Sequence, residues 1–243
     1  MPLPPPLALD ALLAARPVSL FLDFDGTLVE LAPGPDEVRL PEELFARLAD
    51  TARRLDGRLA VVSGRSVEWL RDAGLHDHVL SGTHGSELLW PGGEPERRPR
   101  PLILDTVDRA FRAFADTRSG VIVEHKPLAA GLHFRKAPEH GEEALALAHA
   151  VGRQADLAVQ GGKMMVEVRV PDGTKGSAVA ALMGRRPFAG SMPVFLGDDV
   201  TDEDGFAAAA ALGGFGIAVG ERESASARFA LPGVAAVLDW LGS

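Results

Sequence analysis

Two kinds of apolar spacing alternate along the first part of the chain. Val18–Leu22 is an uncharged, mostly apolar run, which predicts a strand buried on both faces. Leu59–Val62 repeats that signature, and Val79-Leu80-Ser81 is a shorter version of it. Between the first two runs, Leu44, Leu48, Ala52 and Leu55 recur at helical spacing. They follow Pro41-Glu42-Glu43, a proline in the first turn with acids near the positive end of the helix dipole. Residues 67–73 predict a second helix, and residues 7–16 a short leading one. Ala32-Pro33-Gly34-Pro35-Asp36 reads as a turn-rich loop, residues 87–90 as extended chain, and Pro91-Gly92-Gly93 as a turn. Strand, helix, strand, helix, strand predicts a doubly wound α/β core with a parallel sheet.

The pattern then changes. Residues 94–101 are polar and proline-containing, as in a linker. Residues 102–117 have helical periodicity. Residues 120–126 and 131–136 read as two short strands joined by Pro127-Leu128-Ala129-Ala130. Residues 138–153 predict another helix, and 155–160 and 163–170 two more strands around Gly161-Gly162. This is a small α+β unit with an antiparallel sheet. It divides the chain into a core over residues 1–98 and 171–243 and an inserted α+β cap domain over residues 99–170. The core resumes with a helix over 176–183, a buried strand at Pro193-Val194-Phe195-Leu196, an Ala-rich helix over 204–212, a strand at Phe215–Val219 and a closing helix at Val234–Leu241.

Composition narrows the function. The 243 residues are 46% hydrophobic and 24% charged, enough apolar material for a real core. The net charge of −9 argues against nucleic acid or an anionic membrane as the main partner. No uncharged run reaches the length of a membrane span, and the N-terminus lacks a basic segment before its apolar residues. Cysteine is absent, which excludes disulfides and thiolate metal sites and fits a reducing compartment. A soluble, cytoplasmic monomer is expected.

Polar groups recur just after apolar runs or at helix starts: Asp23 and Asp25, then Ser63 with Arg65, then Lys175, then Asp198, Asp199 and Asp202. In an open parallel sheet ligands bind beyond the carboxyl ends of the strands. Each stretch has a bland alternative: an Asp-Gly turn, a serine cap, a glycine turn, a solvated acidic helix start. The last also has the superficial look of a calcium loop, but it lacks the later spaced ligands and terminal Glu. In series, at successive strand ends, they suit phosphoryl transfer. A carboxylate attacks phosphorus, and Mg²⁺ takes carboxylate, carbonyl and phosphate oxygens. Ser63 donates to a phosphate oxygen, aided by a helix N-terminus, and Lys175 supplies a point charge. Asp25 lies two residues from Asp23 and so points the same way, placed to protonate the leaving oxygen and then activate water.

The set Asp23-Phe24-Asp25-Gly26-Thr27, Ser63-Gly64-Arg65, Lys175 and Gly197-Asp198-Asp199 resembles the haloacid dehalogenase-like superfamily of phosphatases. Thr83-His84-Gly85-Ser86-Glu87, Glu124-His125-Lys126, His133-Phe134-Arg135, Gly162-Lys163, Glu167-Val168-Arg169 and Val200-Thr201-Asp202-Glu203-Asp204 extend the resemblance to trehalose-6-phosphate phosphatases over nearly the whole chain. The resemblance implies a Rossmann-like core with a mobile inserted cap. It implies Asp23 as nucleophile, Asp25 as acid/base, and Ser63 and Lys175 as catalytic partners. Mg²⁺ is implied on Asp23, the Asp25 carbonyl and Asp198, with Asp199 a further candidate. Arg65, His84, Glu124, Lys126, Arg135, Lys163, Glu167 and Arg169 are the implied substrate-binding residues, the substrate being a small sugar phosphate. Charged groups read sugar hydroxyls by paired hydrogen bonds, and such a site rejects analogues lacking them. Phe24 and Phe134 stand where that family often has tyrosine, in a chain with no tyrosine at all. Two rivals stand beside this reading: a phosphatase of sucrose phosphate or a glycosyl phosphoglycerate, and a silent sugar-phosphate-binding domain.

Overall fold

The computed structural model describes residues 3–32, 38, 40–97, 99–171 and 173–243. The chain opens with α1 (Leu9–Ala15) and β1 (Val18–Leu22), then α2 (Glu42–Arg54), β2 (Leu59–Val62), α3 (Val67–Leu70, prolonged by a π-type turn over Arg71–Leu75), β3 (Val79–Gly82) and β4 (Glu87–Leu89). It continues with α4 (Ile103–Ala115), β5 (Ile122–Lys126), β6 (Ala129–His133), α5 (Gly141–Ala155), β7 (Ala158–Gly162) and β8 (Met165–Arg169). Last come α6 (Lys175–Met183), β9 (Met192–Gly197), α7 (Glu203–Ala211), β10 (Phe215–Val219), β11 (Phe229–Leu231) and α8 (Val234–Leu241). The expected loop at Pro33-Gly34-Pro35-Asp36 lies outside the described residues.

The chain forms two compact units. One takes the described residues of Met1–Leu31, Val38–Arg97 and Gly173–Ser243, the other those of Ala32–Glu37 and Arg98–Asp172. The first holds a seven-stranded sheet in the order β11-β10-β9-β1-β2-β3-β4, parallel except for β4, which runs antiparallel to β3. All five residues of β1 are buried. Val18, Leu20 and Leu22 join one apolar cluster and Phe21 another, so the period of two feeds both faces of the sheet. The chain order reverses beside β1, which has β9 on one side and β2 on the other. That reversal is the switch point at which open α/β sheets bind ligands.

The second unit holds an antiparallel sheet in the order β5-β6-β8-β7, with an apolar cluster drawn from α4, α5 and one face of the strands. Two boundaries differ from the expected ones. Gly161 and Gly162 belong to β7, and the hairpin turns at Lys163-Met164, where Met164 takes φ +62°. Ala129 and Ala130 open β6 rather than forming the turn, pairing with Lys126 and His125. The edge strand β11 was not expected. Among the described residues no helix is long and apolar enough to cross a membrane.

Candidate active site

Asp23 is the first residue beyond β1, and its N–H donates to Leu196 O of β9 at 2.9 Å. Asp198 is the first residue beyond β9. Lys175 opens α6, whose start is fixed by a reciprocal cap. Thr174 Oγ1 accepts from Ser177 N–H at 3.2 Å, and Ser177 Oγ accepts from Thr174 N–H at 2.9 Å. From there Lys175 Nζ donates to Asp23 Oδ1 and to Asp202 Oδ1, both at 2.6 Å. The ammonium is 3% exposed and Asp202 wholly buried, so this is a dry charge network. Burial works against the Lys175 charge, but Asp202 and Asp23 overcome it and raise its pKa. Burial, then the charge of Asp202, pushes the Asp23 carboxyl well above the usual range, with Lys175 opposing.

Asp23, Asp198 and Asp202 each offer an oxygen within 4.8 Å of the others. Three carboxylates are thus crowded together in a buried place, where like charges side by side are costly. The donors are hard oxygens, and a small divalent cation fits both the charge and the chemistry. Gly26, at φ +85°, keeps this space open, since a Cβ there would run into the Asp198 carboxylate. Asp202 is less suited to bind the ion directly: Lys175 uses one of its oxygens, and the N–H of Asp199 donates to the other at 2.8 Å. Asp199, expected as a ligand, caps the next turn through one oxygen. Its Oδ1 accepts from Val200 N–H at 2.8 Å and starts the 3₁₀ turn Val200–Asp202. Asp23 and Asp198 remain candidates to hold a cation.

Asp25 does not reach toward the lysine. Arg65 grips it with two bonds, Nε to Oδ2 at 2.6 Å and a terminal nitrogen to Oδ1 at 2.8 Å. Ser63 is buried and its Oγ accepts from Arg65 N–H at 3.1 Å. The cap of α3 is Ser66, not Ser63, so Ser63 stands one turn ahead of the helix proper. His84 adopts φ +55°, with Thr83 at +46° before it, conformations rare outside glycine. Its N–H donates to Ser63 O at 3.0 Å and its ring lies over Gly64, where a Cβ would come within 2.7 Å of Cε1. Glu87 is buried and accepts from Thr83 Oγ1 at 2.7 Å, Val67 N–H at 3.3 Å and Arg97 at 2.7 Å. It ties the Thr83–Gly85 turn to the start of α3.

In the second unit, register brings the expected residues onto one face. Glu124 stands opposite Gly131, Gly131 opposite Glu167, and Glu167 opposite Gln160. The next row is Lys126, Ala129, Arg169 and Ala158. Lys126 Nζ bonds Glu167 Oε2 and lies 3.6 Å from Glu124 Oε2. His133 Nε2 and Glu124 Oε2 share a hydrogen bond at 2.7 Å, and Arg169 Nε donates to Gln160 Oε1 at 3.0 Å. Gly131 and Ala129 leave a floor without bulk between these charged walls. Arg135 and Lys163 meet at the hairpin end instead, the guanidinium donating to Lys163 O at 3.1 Å.

A trehalose-phosphatase family model matches residues 21–233. The chain belongs to that family. It is 38% identical to trehalose-6-phosphate phosphatase of Escherichia coli over 225 residues, 91% of this chain and 84% of the relative. It is 37% identical to a probable trehalose-phosphate phosphatase of Sinorhizobium fredii over 211 residues, 86% and 80% of the two chains. Among solved structures, a trehalose-6-phosphate phosphatase related protein superposes with a TM-score of 0.80 at 26% identity, covering 93% of this chain and 95% of that one. The C-terminal domain of the Candida albicans trehalose-6-phosphate phosphatase shares the fold, with a TM-score of 0.85 at 23% identity over 99% and 97% of the chains. The protein is a phosphoric monoester hydrolase with a haloacid dehalogenase-like fold.

The core therefore gathers Asp23, Lys175, Asp198 and Asp202 into one cluster, and Asp25, Ser63 and Arg65 into a second on the same loops. Sequence reasoning singled out Asp202 beside Asp198 and Asp199 but gave it no role in the site, although its spacing of four from Asp198 is that of one helical turn. Gln160 and His133 were also left out. Only the strand register, invisible in the sequence, puts them beside Glu167 and Glu124.

Proposed function

We propose that this enzyme hydrolyses trehalose 6-phosphate to trehalose and phosphate through an aspartyl-phosphate on Asp23. The observation that carries the reading is the buried Lys175 bridging Asp23 and Asp202. That arrangement fixes one Asp23 oxygen and leaves the carboxylate oriented for attack. In the first step an Asp23 oxygen forms a bond to phosphorus while the bond from phosphorus to the sugar O6 breaks. Asp25 gives its proton to that oxygen as it leaves. In the second step a water oxygen bonds to phosphorus, its proton goes to Asp25, and the bond to Asp23 breaks. Lys175 and Ser63 hold phosphate oxygens. The Thr27 hydroxyl, buried and without a hydrogen-bond partner, is a further donor. Asp23, Asp198 and the Asp25 carbonyl would hold Mg²⁺, which when bound offsets the negative charge of nucleophile and phosphate.

The polar face of the second sheet is assigned to the sugar. Glu124, Lys126, Glu167 and Arg169 offer alternating acids and cations, with Arg135 and Lys163 at the hairpin end. The proposal includes a cytoplasmic monomer: the cysteine-free sequence fits a reducing compartment, and gel filtration checks the monomer. The test of activity is phosphate release from a panel of sugar phosphates, with Mg²⁺ and with chelator, for wild type and Asp23→Asn. Trehalose 6-phosphate should be preferred, and chelation or Asp23→Asn should abolish release. Preference for sucrose phosphate or a glycosyl phosphoglycerate would remove the substrate assignment alone. Release from none would remove the catalytic one. Glu167→Ala should impair the disaccharide far more than a small generic phosphate ester; equal loss on both would take the sugar role from this face.

A further inference from the structure

Arg65 was expected to touch substrate, yet its fork closes on Asp25 through two bonds of 2.6 and 2.8 Å. The guanidinium is in turn stacked. Its Cζ lies 3.8 Å from the centroid of the Trp69 ring and 5.7 Å from that of Phe24. Trp69 and Phe24 meet edge to face, with centroids 5.6 Å apart and planes at 66°. The Trp69 backbone is fixed as well, its N–H donating to Ser66 Oγ at 3.2 Å where α3 begins. The Arg65 side chain is 11% exposed and Asp25 30%. The Trp69 ring thus backs the guanidinium, and the guanidinium holds the carboxylate at both oxygens.

This matters because Asp25 sits in a turn beyond the strand, where a carboxylate can swing about two torsions. A planar fork paired at two points removes that freedom in a way a lysine ammonium cannot. Stacking on an indole face favours one orientation of the fork. We propose that Trp69 is a positioning residue, which acts through Arg65 to hold the Asp25 carboxyl in the direction needed for proton transfer to and from the substrate oxygen. The inference rests on Asp25 being the acid/base. In the step concerned, the bond between phosphorus and the leaving oxygen breaks as the Asp25 proton passes to that oxygen and the bond between Asp23 and phosphorus forms.

A misdirected acid is felt most where the leaving group needs the proton. Sugar alkoxide needs it; p-nitrophenolate leaves without it. The experiment is single-turnover release of the leaving group from trehalose 6-phosphate and from p-nitrophenyl phosphate, in Mg²⁺, for wild type, Trp69→Leu, Trp69→Phe, Arg65→Lys and Asp25→Asn. Trp69→Leu should slow sugar release about tenfold, the scale of a small misplacement of a catalytic group, while nitrophenol release changes less than about threefold. KM should stay within about twofold, and Trp69→Phe, which keeps an aromatic face, should recover most of the rate. Arg65→Lys should show the same contrast between leaving groups, which keeps the test in force if Trp69→Leu does not fold. Equal slowing of both leaving groups by Trp69→Leu, or a loss confined to KM, overturns the proposal. Asp25→Asn tells the two readings apart. If it too slows both substrates equally, the acid role of Asp25 falls. If it shows the contrast and neither Trp69→Leu nor Arg65→Lys does, only the positioning role falls.

Discussion

Replacing Lys175 by methionine keeps most of the alkyl stem and removes the cation that bridges the buried Asp23 and Asp202. The lysine is 3% exposed and makes two bonds of 2.6 Å, so neither Asp23 nor Asp202 can turn to water when it is gone. Breaking a buried pair by removing one partner costs about 3–5 kcal/mol, because the remaining charge is uncompensated. The two pairs share one ammonium, so their costs do not simply add, and about 3–5 kcal/mol stands for the whole substitution. In a chain of 243 residues each kcal/mol shifts the melting midpoint by about 2–4 °C, so Lys175→Met should lower it by roughly 6–20 °C. The same electrostatics predict how Mg²⁺ acts. With the lysine gone the carboxylates lose the cation that bridges them, so Mg²⁺ should raise the melting midpoint of Lys175→Met more than that of wild type. The assay is thermal denaturation of both proteins across a Mg²⁺ titration with chelated controls. A drop under about 1 kcal/mol, or a smaller Mg²⁺ response in the variant, would refute the buried network as the charge balance of the site.

Gly26→Ala should abolish turnover in Mg²⁺ and weaken the Mg²⁺-induced thermal shift, because the new Cβ meets Asp198 and φ +85° is strained for alanine; wild-type behaviour would mean the Asp198 carboxylate has room to move. Glu87→Ala leaves Val67 N–H and the Thr83 hydroxyl without their buried acceptor, and urea unfolding should show a loss of about 1–3 kcal/mol. Burial lowers the pKa of His78, with Asp77 opposing and His76 adding. A depressed imidazole contributes stability above its unfolded pKa that is lost as pH falls, so His78→Gln should flatten the decline in melting midpoint between about pH 7 and pH 5.

Much of the core could be read in advance because its elements obey local rules. β1 is Val18–Leu22 as expected, since a parallel strand covered on both faces must be apolar throughout. The second unit was harder. Gly161-Gly162 looks like a turn because glycine usually marks one, but the strand keeps both, and Met164 takes the positive φ. β11, three residues on the sheet edge, is too short to carry a period.

The site divides along the same line. Acids at strand ends were legible, because their position follows from the strand and the ligand rule from the sheet. What each acid does was not. Asp198 and Asp199 are neighbours in sequence and look equivalent, yet the backbone leaves β9 into a 3₁₀ turn that needs a cap. Asp199 supplies that cap through its Oδ1. The same turn carries Asp202 back under Gly197, where only a glycine permits so close an approach, and so to Lys175. Arg65 shows the same logic with a side chain. A basic residue after a serine suits a phosphate, until the fold delivers a carboxylate from forty residues away and an indole from the next helical turn. Composition and spacing thus select the reaction, and turn geometry decides which of several similar residues performs each part of it.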